Sequence, residues 1–320
     1  MGPEAIMSDT LRKVPELSLL SYVEGNATER AKFVDQLFSG IKDYGFIILT
    51  DHTVQESVIE KGYKAVQDFF ALDEETKRKY AIASGGQRGY TPFGTEHAKD
   101  NPHKDLKEFW HVGREVSADH KFSKYYPNNV WPTEIAGFEE NLGNLYSELD
   151  KTSVHLLDAL GEALDVPQSY FRDMIDTGNS ILRAIHYPPV GEAPPAGSIR
   201  AAAHGDINLI TILMGATASG LQLLDRDGQW LDVETKPGQL VVDSGDMMSR
   251  ITNDIIPATI HRVINPDESN TARYSMPFFV HPHPEAMLEC IPSCEGSGAK
   301  YPPISAHDSL MERLKDIGLM

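Results

Sequence analysis

The stretch Ala201-Ala202-Ala203-His204-Gly205-Asp206-Ile207-Asn208-Leu209-Ile210-Thr211-Ile212-Leu213-Met214 decides how this chain folds. Ile207–Met214 is an apolar run of strand length. His204 and Asp206 stand at i and i+2, and in an extended chain those side chains share a face, so an imidazole and a carboxylate can reach one ion. The spacing alone also fits a turn or a hydrogen-bonded core pair, because a chain with 12 histidines meets His-x-Asp by chance.

Working outward, Ser180–Tyr187, Leu221–Leu224, Gln239–Asp243, Ile260–Val263 and Arg273–Val280 also read as strands. Asp225-Arg226-Asp227-Gly228, Lys236-Pro237-Gly238 and Asp243-Ser244-Gly245-Asp246 punctuate them with turn residues. Short strands at this spacing predict a sandwich or jelly roll. Upstream the pattern is helical. Val34, Leu37, Phe38 and Ile41 give one face of a helix over Thr28–Tyr44, and Gly45 is placed to stop it. Phe46–Leu49 reads as a buried strand, Val54–Ala71 and Thr133–Leu164 as helices, Arg88–Gly94 as a loop, and Leu310–Ile317 as a closing helix.

His261 lies on a separate strand from His204. Two imidazoles and one carboxylate make the facial triad that suits Fe(II) and leaves positions open for a chelating co-substrate and O2. The same three ligands with a bound water would suit a zinc hydrolase. Arg273 and Ser275 share a face of the next strand. A buried arginine needs an anion, and its planar fork fits a carboxylate, though an internal salt bridge would also satisfy it.

The formal net charge of −18 argues against nucleic acid as a partner, and no apolar run approaches the roughly 20 residues of a membrane helix. The two cysteines, Cys290 and Cys294, exclude a disulfide framework and a four-cysteine zinc site. A cytoplasmic location is expected. Met1–Ile6 precede a second methionine and read as a remnant or alternative start.

These signals together resemble the isopenicillin N synthase-like branch of the 2-oxoglutarate/Fe(II) dioxygenases. The resemblance rests on Tyr44-Gly45-Phe46, Asp51-His52, Phe69-Phe70-Ala71-Leu72, Arg88-Gly89-Tyr90, Arg183-Ala184-Ile185-His186-Tyr187-Pro188-Pro189, His204-Gly205-Asp206 and Gly220-Leu221-Gln222-Leu223. Trp230, Pro237-Gly238, Gly245-Asp246, Thr252-Asn253, His261-Arg262-Val263 and Arg273-Tyr274-Ser275 continue it in the same order.

The resemblance implies a double-stranded β-helix (jelly roll) core with flanking α-helices. Residues 1–12 would be disordered or a remnant, 13–165 a mostly helical N-terminal region, 177–285 the jelly-roll core and 286–320 a C-terminal tail and helix. It implies that His204, Asp206 and His261 are the metal ligands, and that Arg273, Ser275 and Tyr187 bind the far carboxylate of 2-oxoglutarate. Read by itself, Tyr187 before two prolines also suits edge-strand packing. Fe(II), 2-oxoglutarate and O2 would serve hydroxylation, desaturation or cyclisation of a small-molecule substrate. Ile185 departs from the asparagine common in the family, so one polar contact near the co-substrate is in doubt. A 2-oxoglutarate-independent oxidase of the isopenicillin N synthase type, with Arg273 and Ser275 on substrate, and a silent ligand-binding module on the same fold stay open.

Pocket candidates are Arg88–Phe93, Phe109-Trp110-His111, Met247, Met248 and Arg250, for which core packing is the alternative. Arg88 or Arg114 could bind an acidic group or lie exposed. Lys77-Arg78-Lys79 reads as a solvated helix end and Lys107-Glu108 as a solvated helix face. His281-Pro282-His283 resembles a metal tract but follows the last core strand.

Overall fold

The computed structural model describes residues 13–81, 87–95, 104–190, 198–265 and 270–316; residues 1–12 and Ile317, about which the sequence raised expectations, lie outside these ranges. After a short strand β1 (Glu16–Ser18) and a helical turn α1 (Leu20–Val23), helix α2 (Ala27–Tyr44) begins at Asn26. The Asn26 side chain accepts from the Thr28 and Glu29 amides at 2.9 and 3.1 Å, and the Glu29 carboxylate accepts from Asn26 N–H at 2.8 Å. Gly45 ends α2 at φ +77°, and a side chain there would also strike Thr259. The chain then enters β2 (Phe46–Thr50), followed by α3 (Glu56–Phe70), α4 (Glu74–Arg78), β3 (Gly89–Thr91), β4 (Glu108–Gly113), α5 (Phe138–Ala163) and α6 (Ser169–Ile175).

The second half supplies β5 (Ile181–Tyr187), β6 (Ala201–His204), β7 (Ile210–Met214), β8 (Leu221–Leu224), β9 (Trp230–Asp232), β10 (Leu240–Ser244), α7 (Asp246–Ile251), β11 (His261–Val263) and β12 (Arg273–Val280). A small hairpin-like pair, β13 (Met287–Leu288) with β14 (Ile304–Ser305), precedes α8 (Ala306–Asp316). The large sheet runs β1-β2-β10-β7-β12-β5-β4-β3, and a smaller sheet runs β6-β11-β8-β9.

Alternation along each strand of the large sheet sorts its side chains onto two faces. Leu182, Ala184, Ile212, Met214, Val242, Met276 and Phe278 join Leu37, Val66, Phe69, Leu145 and Leu156 in the core under the helices. Phe46, Ile48, Phe109, Ile185, Tyr187 and Val241 instead meet Ala201, Leu221, Leu223 and Val263 of the smaller sheet. The two sheets therefore face one another across a second core, which is the expected jelly roll with its helices on one outer face. Among the described residues no helix is long and apolar enough to cross a membrane.

Several local expectations are corrected. Gly89–Thr91 is not loop but strand, paired with His111–Phe109 of β4. The strand expected from Ile207 starts at Ile210, because Asn208 Nδ2 turns back to donate to Ile210 O at 2.6 Å. β10 includes Asp243, the expected strand end, and runs one residue further to Ser244, while Gly245 caps a helix, α7, that turn chemistry did not announce. Lys77 and Glu108 are not solvated: Lys77 Nζ donates to Glu108 Oε2 at 2.7 Å with both side chains buried. Tyr90 OH donates to the same oxygen, and His186 Nδ1 to Glu108 Oε1 at 2.7 Å. Burial works against that carboxylate, but hydrogen bonds from His186, Lys77 and Tyr90 prevail and hold its pKa below the ordinary value.

Trp110 faces the helices, not a pocket. Its ring meets Phe69 edge-on at 4.7 Å and Phe138 at 5.2 Å, joining α3, β4 and α5. Trp110→Ala is expected to lower stability by about 3–5 kcal/mol, measured as a drop in the denaturant midpoint.

Candidate metal centre

β6 and β11 run antiparallel with His204 directly opposite His261, so the pairing itself brings the two imidazoles together, with ring centroids 4.5 Å apart. Asp206 follows where β6 ends. Its Oδ1 lies 3.9 Å from His261 Nε2, and the ligand atoms of all three residues lie within 4.8 Å of one another. Donor–metal bonds of about 2.0–2.2 Å can reach one ion from these positions. Among the described residues this is the one cluster of its kind.

Each donor is oriented from behind. His204 Nδ1–H donates to Ala202 O at 2.7 Å and His261 Nδ1–H to Thr259 O at 3.2 Å. A carbonyl can only accept, so both bonds leave the Nε2 lone pair for a metal. Burial and then the proximity of His261 lower the His204 pKa to about 4, which keeps it in the neutral, ligating form. Thr211 Oγ1 donates to Asp206 Oδ2, and Asp246 N–H donates to Asp206 O at 2.8 Å. Gly245 permits that turn, because a Cβ there would lie 2.3 Å from Asn208 O. Asp243, opposite Thr211 on β10, is a buried neighbour that the sequence placed at a strand end with no role at the site. Burial first, and Asp206 second, push its pKa well above the carboxylate range.

Further along the same interior face stand the residues expected to bind a carboxylate. Arg273 pairs with Tyr187, and Ser275 with Ile185, between β12 and β5. Arg273 is 1% exposed. Its Nε donates to Ala218 O at 3.1 Å and its guanidinium carbon lies 5.2 Å from the Tyr187 ring centroid, yet Nη1 is buried without a hydrogen-bond partner. Among the described residues no carboxylate pairs with it, so the internal salt bridge is not found. A second buried guanidinium, Arg200, which the sequence reading passed over, donates to Thr271 O. Burial and then Arg273 lower its pKa. Two buried cations at one end of the barrel suit a dianionic ligand.

The other candidates separate by face. Phe109 and His111 point inward with Ile185 and Arg183, their register partners. Met247 and Met248 are core residues, and Arg250 Nη2 donates outward to Pro302 O at 2.6 Å. Arg88 is buried but donates to Gln87 O at 2.8 Å, and Arg114 pairs with Asp150 at 2.8 Å. Lys107 is buried against Asp105 at 2.9 Å. His283 stacks on Phe122 at 5.1 Å, and the His281-Pro282-His283 tract forms no metal cluster among the described residues.

Comparison with known proteins agrees with this geometry. Residues 14–134 match the family described as non-haem dioxygenase in morphine synthesis N-terminal, and residues 178–282 match the 2OG-Fe(II) oxygenase superfamily. The 2-oxoglutarate-Fe(II) type oxidoreductase hxnY of Emericella nidulans is 33% identical over 311 residues, covering 92% of this chain and 87% of that protein. A 2OG-Fe(II) oxygenase family protein from Caulobacter crescentus has a similar structure, with TM-score 0.86, 39% identity and coverage of 95% of this chain and 99% of that one. A full-length Neurospora crassa protein, solved in complex with alpha-KG (2-oxoglutarate) and thymine, has TM-score 0.85 and 28% identity over 94% of this chain and 96% of its own. The donor set and the buried guanidinium without an anion fit Fe(II) and 2-oxoglutarate, and with this kinship the silent module, the zinc hydrolase and the 2-oxoglutarate-independent oxidase fall away. The chain belongs to the 2-oxoglutarate/Fe(II)-dependent oxygenases and is an enzyme that uses Fe(II), 2-oxoglutarate and O2.

Proposed function

We propose that His204, Asp206 and His261 hold the Fe(II), and that Arg273, Ser275 and Tyr187 hold 2-oxoglutarate by its far carboxylate. The observation that carries this reading is Arg273: a fully buried guanidinium, with Nη1 unsatisfied, on the interior face that also holds Thr211, the hydrogen-bond donor to Asp206. Leaving such a group unmatched costs several kcal/mol, and a carboxylate would match it with two charge-assisted bonds.

Iron bound at the triad supplies the activation of O2, coupled to decarboxylation of 2-oxoglutarate and oxidation of a substrate C–H bond. The protein's own groups do the positioning. Backbone carbonyls of Ala202 and Thr259 fix the two imidazoles, Thr211 fixes one oxygen of Asp206, and the Arg273 fork sets the far end of the co-substrate. Leu223, Val241 and Val263 form an apolar wall between the sheets that keeps water from the reacting atoms. The substrate is proposed to be a small molecule, since the Neurospora crassa protein has been solved with thymine and with 5-formyluracil. The free thiols of Cys290 and Cys294 support the expected cytoplasmic location.

Anaerobic titration of the protein with Fe(II) and 2-oxoglutarate is expected to produce a weak visible metal-to-ligand charge-transfer band. Ser275→Ala should weaken the co-substrate by about 1.5–3 kcal/mol at most, one hydrogen bond to a charged acceptor. Absence of the band, with substrate-dependent O2 uptake that releases no CO2, would overturn the co-substrate assignment.

A further inference from the structure

Arg200 immediately precedes β6, a strand of the smaller sheet, yet its Nη2 donates to Thr271 O. Thr271 leads into β12 of the large sheet, two residues before Arg273. The side chain therefore crosses from one sheet to the other at the end of the barrel where Arg273 stands. Both arginines are 1% exposed.

Their charges are poorly matched. Arg200 donates to Thr271 O and its Nε is buried without a partner; Arg273 donates to Ala218 O and its Nη1 is buried without a partner. Burial is the largest effect opposing the charge of each, and for Arg200 the next is the positive charge of Arg273. What favours ionisation is tyrosine, Tyr187 for both and Tyr63 for Arg273, and no carboxylate of the described residues offsets either cation. The buried cations elsewhere are served differently. Lys77 faces Glu108 and Lys107 faces Asp105, and Arg88 has Glu115 among the groups that favour its charge.

Two like charges in a low-dielectric interior repel, and the cost stands until an anion joins them. If Arg200 served only to tie the smaller sheet to the start of β12, a neutral donor to Thr271 O would do so without desolvating a charge. A contact between Arg200 and a ligand is not needed either, because a charge acts through the protein interior on a carboxylate that Arg273 holds.

We infer that Arg200 is a positioning residue for the co-substrate: its charge, added to that of Arg273, makes this end of the barrel favour an anionic terminus and so selects a 2-oxo acid with a second carboxylate over one with a neutral tail. This rests on the assignment of Arg273 to the far carboxylate.

The test titrates the anaerobic Fe(II) protein with 2-oxoglutarate and with 2-oxopentanoate, which has the same chain length and a methyl group in place of the far carboxylate. The readout is the visible charge-transfer band that either 2-oxo acid gives on chelation. Arg200→Gln keeps a donor for Thr271 O and loses the charge. It is expected to weaken 2-oxoglutarate roughly 10-fold and to leave 2-oxopentanoate within about 2-fold, as loss of a through-space charge interaction requires. Arg200→Met, which keeps neither donor nor charge but fills similar volume, should match it and guards against a Gln variant that fails to fold. Arg200→Lys, which keeps the charge, should bind 2-oxoglutarate more tightly than either. Unchanged 2-oxoglutarate affinity in Arg200→Gln and Arg200→Met, equal proportional losses for the two 2-oxo acids, or a Lys variant no tighter than Gln would overturn the inference and leave Arg200 a brace. Arg273→Ala separates the two levels. If that variant binds 2-oxoglutarate normally, the far-carboxylate assignment itself fails; if it weakens 2-oxoglutarate as expected and Arg200→Gln does not, only the role of Arg200 fails.

Discussion

Arg273→Ala is expected to raise the 2-oxoglutarate concentration needed for half-maximal turnover roughly 30-fold or more, because removing one partner of a desolvated charge pair costs about 2–5 kcal/mol. The buried, half-satisfied state of this guanidinium sets the direction: Nη1 meets no acceptor of the protein's own, so the variant loses the proposed ligand contact as well as the Nε bond to Ala218 O. Arg273→Lys should recover only part of the loss, since a point charge replaces a fork that makes two parallel bonds. A shorter 2-oxo acid without the distal carboxylate should lose its disadvantage in Arg273→Ala relative to the unmutated protein. Steady-state kinetics in 2-oxoglutarate checks this. Unchanged co-substrate dependence, with weakening of the primary substrate alone, would make Arg273 a substrate anchor.

His204→Ala and His261→Ala are each expected to cost at least about 100-fold in Fe(II) affinity, the upper end of what loss of a mere supporting partner of a ligand costs, and to abolish coupled turnover. The fold should survive, because both rings sit at strand ends where β6 meets β11 and the large sheet does not depend on them. Asp206→Ala should be as severe in turnover and milder in folding, since it also relieves the repulsion that raises Asp243. Iron content after dialysis, circular dichroism and succinate release measure the three properties separately. Normal succinate production by an iron-loaded His variant would remove the triad assignment.

The two histidines and the Arg273–Ser275 pair were legible because they lie on strands, with Asp206 just past the end of one, where period two turns spacing into shared facing. β12 was placed at its full length, Arg273–Val280, since the apolar run Met276–Val280 and the Pro282 that follows it leave little choice of boundary at its far end. What stayed hidden has a common physical cause. Asp243 reads both as a strand end and as the start of Asp-Ser-Gly-Asp turn chemistry, and β10 extends one residue past it because β7 supplies pairing partners as far as Ser244. Lys107, Glu108 and Lys77 look solvated because charge predicts exposure; their burial depends on partners distant in sequence, and a sequence pattern cannot show that the charges cancel.

The position of β12 has a bearing on how the chain comes to be assembled. It lies between β7 and β5, although it is made after every other strand of that sheet. Until Val280 has left the ribosome, β1-β2-β10-β7 and β5-β4-β3 can exist only as two half-sheets, each with an apolar edge waiting for the same missing strand. Long-range pairing of this kind is slow, and bare strand edges invite pairing with other chains. The strand that joins the halves is also the one that carries Arg273 and Ser275. A nascent chain therefore gains its proposed co-substrate pocket in the same event that seals its edges, and a product truncated before Arg273 is expected to have neither the joined sheet nor that pocket.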